Sequence, residues 1–180
     1  DHDRFKYYND TYGHEVGDLV LSTTGRLFRM HREGDTGVRW GGDEYLRIVR
    51  NLVTETQLGL IAGRDAELVD SFAWELLDVR LTEHPPRISI GLVYCERPSR
   101  EERARMVRRD AEVKIATEQR FDAAVAVPLG SSFDIARRLV ALADQKMYEA
   151  KRAFAGSADP HLAQINVRVS EGRLVELGTL

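Results

Sequence analysis

Three acidic side chains in two distant stretches of the chain have the chemistry to hold a divalent cation. Asp1 stands where a strand should end, and Asp43 and Glu44 stand at the tip of a predicted β-hairpin. Two carboxylates and a backbone carbonyl are hard oxygen ligands of the kind that Mg²⁺ prefers, with phosphate oxygens and water completing its shell. Such a site would bind a nucleotide through its metal. Glycine and aspartate are also common in turns, so the tetrapeptide 41–44 taken alone favours an ordinary hairpin turn.

The elements that must position these carboxylates are visible in the hydrophobic pattern. Apolar residues at three- and four-residue spacing predict an amphipathic helix over 14–31. Two short runs rich in aromatic and β-branched residues, 38–40 and 45–49, predict the two strands of the hairpin. The acidic turn lies between them, so the fold could bring the first residue and the hairpin tip together.

The middle of the chain continues the alternation of helices and strands. A helical stretch is predicted over 54–81, and Pro85-Pro86 ends it before an apolar strand over 88–94. Arginine and glutamate are interleaved over 99–120, which predicts a solvent-exposed helix.

The end of the chain supplies a long helix and a hairpin. Helical spacing of apolar residues over 135–150 predicts the helix. Two strand-like runs flank Glu171-Gly172, which predicts a closing hairpin within 163–180. The order of elements predicts an α/β (α+β) sandwich, in which helices pack on a central, mostly antiparallel sheet.

Composition limits the class of protein. A length of 180 residues favours a single domain, 1–180, with a sizeable core. The net charge of -3 gives no general attraction to nucleic acid, so we expect no nucleic-acid partner and only local phosphate binding. Cys95 is the lone cysteine, which excludes an intrachain disulfide. A cytoplasmic location is expected, either of a free protein or of the cytoplasmic part of a membrane-anchored protein.

Four separate blocks of the sequence resemble the signature of one known family, the GGDEF domains. The first block, 1–18, reads DHDRFKYYNDTYGHEVGD, and the second, 39–45, reads RWGGDEY. The blocks ISIG at 88–91 and ADQKMYEAK at 143–151 follow in the family's order. A lone motif would be weak, whereas four blocks in order are very improbable by chance. By this resemblance the chain is identified as a member of the GGDEF family from Asp1 to about residue 156.

The resemblance implies a palm-like nucleotidyl cyclase fold in which the first strand ends at a metal site. On that basis Asp1 and Asp43 would bind Mg²⁺ or Mn²⁺ together with the backbone carbonyl of His2. Glu44, in the matching position, would polarise or deprotonate the ribose 3′-hydroxyl of the substrate. The chain opens on Asp1 without an initiating methionine, so we expect the first strand to be truncated in this sequence.

The same resemblance implies where the phosphates bind. Asp3 is predicted to cap the helix that follows it, because a carboxylate there satisfies free backbone N–H groups. The amides of Arg4, Phe5 and Lys6 would then lie at a helix N-terminus, which favours a phosphate. Lys151 matches the family lysine that contacts the triphosphate, although an exposed lysine at a helix end is an ordinary feature as well.

Guanine recognition is implied for Asn9 and Asp18. An amide can satisfy the purine edge, while a carboxylate accepts hydrogen bonds from guanine N1–H and N2–H₂. Local capping around a loop would be the better interpretation of both residues without the flanking match. Gly41 and Gly42 would lie beside the substrate by the same resemblance.

The implied reaction joins two GTP molecules into cyclic di-GMP at the interface of a homodimer, because each chain supplies half of an active site. Arg32 and Asp35 stand at the spacing of the family's RxxD site, which implies product inhibition by cyclic di-GMP. An N-terminal sensory or regulatory domain is expected in the full-length protein.

Two departures from the family pattern leave alternatives open. Ala155 stands where the family usually has an arginine, and the segment 96–132 is an atypical insertion. These features are the only support in the sequence for a domain that has lost turnover and senses GTP or cyclic di-GMP, and the intact acidic set argues against it. A cyclase or polymerase with a different product is the other alternative, since related palm domains use the same two-carboxylate metal chemistry.

Overall fold

The computed structural model of the chain describes residues 1–29, 33–52, 54–119, 130–153 and 161–177. They belong to two compact units. The first comprises Asp1–Leu92 and Met147–Ala163, and the second comprises Val93–Lys146 and Gln164–Leu180. The single-domain organisation stays a prediction, because two compact units can belong to one cooperatively folding domain.

Two helices open the first unit. Helix α1 covers Phe5–Tyr12 and helix α2 covers His14–Phe28, with Gly13 between them at a φ of 91° that favours glycine. The predicted start of α2 at residue 14 is confirmed, and the helix ends at Phe28 rather than at residue 31. One face of α2 is buried, which is the basis of the predicted periodicity: Val16, Gly17, Val20, Leu21, Thr23 and Thr24.

The predicted hairpin is present. Strand β1 covers Thr36–Gly41 and pairs antiparallel with β2, Glu44–Ile48. Its turn is tight, because Gly42 adopts a φ of 48°. Two β2 side chains fix the hairpin within the unit. The Tyr45 hydroxyl donates to the Leu21 carbonyl of α2 at 2.8 Å, and Arg47 pairs with Asp65 at 2.5 Å.

The helix predicted over 54–81 was wrong beyond residue 70. Helix α3 covers Glu55–Asp70 and begins with a capping box between Thr54 and Gln57. Two short 3-10 turns follow, Trp74–Leu76 and Val79–Thr82. Their apolar residues have spacing close to that of an α-helix, so the pattern alone could not separate them from α3.

Residues 1–3 lie between the hairpin and strand β3, Ser89–Cys95. The Ser89 amide donates to the Asp1 carbonyl at 3.0 Å, and the Asp3 amide donates to the Arg87 carbonyl at 2.9 Å. On the other side, the His2 amide donates to the Asp43 carbonyl at 3.4 Å. The start of the chain is therefore held on both sides by backbone hydrogen bonds, with antiparallel pairing of His2 and Ile88.

The second unit contains helix α4, Arg100–Gln119, and strand β5, Arg173–Glu176. Strand β5 pairs with β4, His161–Ser170, which lies mostly in the same unit, and the two form the predicted closing hairpin. The strands order as β3-β4-β5. Helix α4 confirms the helix predicted over 99–120, but its expected full exposure was wrong at Glu102. That side chain is buried and accepts a hydrogen bond from the Gly172 amide at 2.7 Å, which satisfies the turn between β4 and β5.

Helix α5, Ser132–Ala153, runs from the second unit into the first and is the last long helix predicted from the sequence. Helices and antiparallel strands together confirm the α+β class. Among the helices that the structure describes, none combines the length and apolarity that crossing a bilayer requires.

The core of the first unit is centred on Trp74. Its side chain is 1% exposed, and its indole N–H donates to the Val69 carbonyl at 2.8 Å. Aliphatic side chains from α2, α3, the second 3-10 turn and the residue before β3 belong to the same cluster: Val20, Ala66, Val69, Leu81 and Ile88. This packing connects the helices to the strand that bonds with residues 1–3.

We expect Trp74→Phe to lower the free energy of unfolding by about 2–3 kcal/mol, because it removes buried volume and the 2.8 Å hydrogen bond from the indole to the Val69 carbonyl. Trp40, the other tryptophan, is 61% exposed and provides the matched control. Trp40→Phe should change stability by about 0.5 kcal/mol or less. Urea unfolding followed by circular dichroism measures both, and equal losses in the two variants would contradict the assigned core.

Candidate active site

A cavity of about 520 Å³ in the first unit collects side chains from three separate stretches of the chain. It brings together most of the residues predicted for the metal and substrate: Asp1, His2, Arg4, Phe5, Lys6, Asn9, Asp43 and Lys151. Gly41, Gly42, Glu44 and Asp18 are not among its lining residues. Asp10 and His14 also line it and were missed, because neither residue type nor spacing indicated a chemical role for them.

Lys151 makes the closest polar contacts of this cavity. Its ammonium donates to the Asp1 carboxylate and, at 3.3 Å, to the backbone carbonyl of His2. The Asp1 side chain is only 13% exposed and that of Lys151 28%, so this ion pair is more shielded than a surface pair. Residues 150 positions apart in sequence thus share one charged contact.

The oxygens at this point suit a hard divalent cation. The Asp1 carboxylate and the His2 carbonyl both face one positive charge, that of Lys151, and Asp43 lines the same cavity. Carboxylate and carbonyl oxygens are the ligands that Mg²⁺ and Mn²⁺ select. In the described part of the chain, no cluster of three or more His, Cys, Asp or Glu side chains could hold a metal. Metal binding here would therefore depend on two carboxylates with a main-chain oxygen.

The N-terminus of α1 opens on the same cavity through Arg4, Phe5 and Lys6. Free amides and the helix dipole favour an anion at this place. Arg4 has a left-handed φ of 57°, which costs about 1–3 kcal/mol in a residue other than glycine. Such strain is concentrated at functional sites.

The predicted capping role of Asp3 was wrong. Arg4 is the N-cap residue of α1, and no side chain caps this helix. The Asp3 carboxylate instead accepts a hydrogen bond from the Ser89 hydroxyl at 2.7 Å. It therefore connects the start of the chain to β3, because the pairing of His2 with Ile88 places Asp3 diagonally across from Ser89.

Asn9 is positioned by a glycine that the sequence reasoning missed. A Cβ on Gly17 would lie 2.0 Å from Asn9 Oδ1 and 3.3 Å from Phe5 Cζ. Gly17 is therefore required for Asn9 to keep this orientation on the facing helix. Glycine inside a helix costs about 1 kcal/mol relative to alanine, so its presence in α2 was the available signal. Asp18 follows it and is exposed.

The hairpin tip separates the two acidic residues of the motif. Asp43 lies in the turn and lines the cavity, whereas Glu44 begins β2 and pairs with Gly41. Arg39 donates from its Nε to the Gly42 carbonyl at 2.7 Å, which braces the turn.

The buried His2 ring belongs to an aromatic cluster. The His2 ring is 1% exposed and lies 5.9 Å from the Phe5 ring and 6.0 Å from the Tyr45 ring, measured between centroids. Burial lowers the pKa of His2 to about 3, so the ring is uncharged at neutral pH. Burial also raises the pKa of Tyr45. His2 thus offers a carbonyl to the site without adding positive charge.

The predicted inhibitory pair is described only in part, since Arg32 lies outside the described residues. The Asp35 carboxylate is 1% exposed and accepts from Arg47 Nη2 at 2.8 Å and from the Arg50 amide at 3.1 Å. A ligand that uses this carboxylate must compete with those donors. Ala155, the other departure from the family pattern, also lies outside the described residues.

Comparison with known proteins gives consistent similarities. A family model described as "Diguanylate cyclase, GGDEF domain" matches residues 1–123. The diguanylate cyclase DgcM of Escherichia coli K12 is 44% identical over 61 residues, 33% of this chain and 15% of that protein. DgcZ of the same strain is 40% identical over 74 residues, 41% of this chain and 25% of that protein. DgcS of Shewanella oneidensis is 45% identical over 74 residues, which are 41% of this chain and 24% of that protein. The chain therefore spans a quarter or less of each relative's length.

We expect Gly17→Ala to weaken guanine-nucleotide binding by about tenfold or more, because the new methyl group displaces the Asn9 amide. Gly25→Ala is the matched control in the same helix, where the nearest atom to a new Cβ is 4.0 Å away. It should leave affinity unchanged and stabilise α2 by about 1 kcal/mol. Calorimetric titration with GDP compares the two variants, and equal affinities would contradict the positioning role of Gly17.

Proposed function

Because the chain belongs to the GGDEF domain family of diguanylate cyclases, we propose that it condenses two GTP molecules into cyclic di-GMP and two pyrophosphates. One observation carries the proposal. A single cavity joins Asp1, Asp43 and Lys151 to the N-terminus of α1 and to Asn9. These are the groups needed to hold a metal, a triphosphate and a guanine. The palm-like nucleotidyl cyclase fold of the family agrees with the α+β architecture of the chain.

In this proposal each cavity binds one GTP. Its volume of about 520 Å³ is in the range of small-molecule sites. The triphosphate lies against the amides of Arg4, Phe5 and Lys6, with the Lys6 and Lys151 ammonium groups supplying positive charge. Asn9 and Asp18 bind the guanine edge, while Gly41 and Gly42 leave room for the nucleotide to approach the backbone of the turn.

The chemistry is a phosphoryl transfer between two nucleotides. GGDEF diguanylate cyclases generally need a divalent metal. Asp1, Asp43 and the His2 carbonyl would hold it, and when bound it would neutralise negative charge on the phosphates. Glu44 takes the proton from the 3′-hydroxyl of one GTP. The oxygen forms a bond to the α-phosphorus of the other GTP, the bond to the β-phosphate oxygen breaks, and pyrophosphate leaves. Two such transfers close the ring.

Two chains are needed because one cavity presents one nucleotide. We propose a homodimer in which the cavities face each other, so that orientation supplies much of the rate enhancement. The matched relatives are four or more times longer than their matched segments. This supports a neighbouring sensory domain that controls dimerisation. Use of GTP and the unpaired Cys95 both favour a cytoplasmic location.

We expect Asp43→Asn to lower cyclic di-GMP formation by roughly 10²–10³-fold, since it removes a charged metal ligand while keeping the side chain's size. Glu67→Gln, a neutralised carboxylate on the exposed face of α3, is the control and should retain full activity. Chromatography of products formed from a mixture of GTP and ATP measures the rate and base preference together. Unchanged turnover in Asp43→Asn would reject the proposed metal site, and a product containing adenine would reject the guanine assignment.

A nucleotide-sensing domain without turnover is the second candidate function. The absence of the usual arginine at Ala155 and the atypical segment 96–132 favour it. The same full-length protein would then bind GTP in the presence of Mg²⁺ without releasing pyrophosphate. Pyrophosphate release by the wild-type chain would reject this alternative.

We also propose that cyclic di-GMP inhibits the enzyme through Arg32 and Asp35, where arginine can stack on guanine and aspartate can accept from its edge. Arg32→Ala should raise the half-inhibitory product concentration by about tenfold or more. Arg29→Ala, at an exposed arginine just after α2, is the control and should leave that concentration unchanged. Initial rates at increasing cyclic di-GMP test this, and indistinguishable inhibition of both variants would overturn it.

A further inference from the structure

The Lys151 ammonium occupies a position between two oxygens that the proposed function assigns to a metal ion. It donates to the Asp1 carboxylate and to the His2 carbonyl. Both contacts come from one nitrogen atom, so the two oxygens converge on a single positive centre. The Lys151 ammonium thus occupies the position that a bound cation would take between these oxygens.

An ammonium and a divalent cation that both contact these two oxygens would repel each other. Ligand oxygens lie about 2.0–2.1 Å from Mg²⁺, whereas the ammonium lies 3.3 Å from the His2 carbonyl. A metal bound to both oxygens would lie within a few ångströms of the Lys151 nitrogen. The resulting repulsion between positive charges is strong where the groups are partly shielded from water, as Asp1 and Lys151 are.

We propose that Lys151 and the divalent cation compete for the oxygens of Asp1 and His2, so that entry of the metal releases the lysine toward the nucleotide. The inference rests on the proposed function, because the freed ammonium is the group assigned to the triphosphate. Lys151 neutralises Asp1 until the metal does so, and it then neutralises the phosphates that arrive with the metal. One side chain thereby couples metal binding to triphosphate binding.

The position of Lys151 suits such an exchange. It lies in the last turn of α5, which ends at Ala153, and its side chain is 28% exposed. A lysine side chain has a flexible four-carbon stem and three donors. The ammonium can therefore move between acceptors without displacement of the helix.

Metal binding without nucleotide provides the first test. We expect Lys151→Gln and Lys151→Met to bind Mn²⁺ about tenfold more tightly than the wild-type protein, measured from the electron paramagnetic resonance signal of free Mn²⁺. Arg152→Gln removes the same charge from the next, exposed residue and should change the affinity by about twofold or less. Thermal melting of each variant in EDTA establishes that it is folded.

Nucleotide binding provides a second readout with the opposite sign. At saturating Mg²⁺, a non-hydrolysable GTP analogue should bind both Lys151 variants about tenfold more weakly, because the phosphate partner is lost. Weakening of both Mn²⁺ and nucleotide binding would show that Lys151 merely supports the site, and would overturn the competition. If Arg152→Gln binds Mn²⁺ as tightly as the Lys151 variants do, the loss of net charge alone explains the higher affinity, and the competition is overturned as well.

Asp1→Asn distinguishes failure of this inference from failure of the proposed function. It should weaken Mn²⁺ binding, since Asp1 is the carboxylate that both cations share. Unchanged Mn²⁺ binding in Asp1→Asn would reject the proposed metal site and the competition with it. Weaker binding in Asp1→Asn together with unchanged binding in both Lys151 variants would overturn the competition alone.

Discussion

Backbone hydrogen bonds on both sides of residues 1–3 determine where the groups of the candidate site lie. His2 donates to the Asp43 carbonyl on the hairpin side, and Ser89 donates to the Asp1 carbonyl on the β3 side. Neighbouring extended segments lie about 4.8 Å apart, so this pairing brings Asp1 beside the hairpin tip. Helix α1 begins directly afterwards, which places its N-terminus at the same cavity. The proposed metal, phosphate and base positions all depend on this one backbone arrangement.

Much of this arrangement could be predicted because local patterns decide it. Amphipathic spacing was sufficient to predict α2 and α5, and the glycine-rich acidic turn was sufficient to predict the hairpin. The family resemblance then supplied the association of distant stretches, which no periodicity contains. Most residues chosen in this way line one cavity. Their individual roles remain predictions.

The remaining features depended on tertiary contacts that a sequence pattern does not record. Asp3 was expected to cap α1, but its hydroxyl partner Ser89 is 86 residues away in sequence. Helix α3 ends at Asp70, and the Trp74 indole donates back to the Val69 carbonyl, although the helical spacing of apolar residues continues beyond residue 70. Gly17 matters only because Asn9 of α1 lies against it. For Asp3 and Gly17, a long-range or interhelical partner overrides the local preference.

A long excursion of the chain between two parts of the candidate site costs little free energy, because the cost of closing it depends weakly on its length. The chain leaves the first unit after Leu92 and returns at Met147, four residues before Lys151. Closing a flexible loop costs only about 0.6 kcal/mol more for each doubling of its length. The ion pair of Lys151 and Asp1 is partly shielded from water, so it can offset such an increment. One constraint on the excursion is therefore that it returns α5 with Lys151 within reach of Asp1. Contacts within the second unit, such as that of the buried Glu102 with Gly172, constrain its own residues.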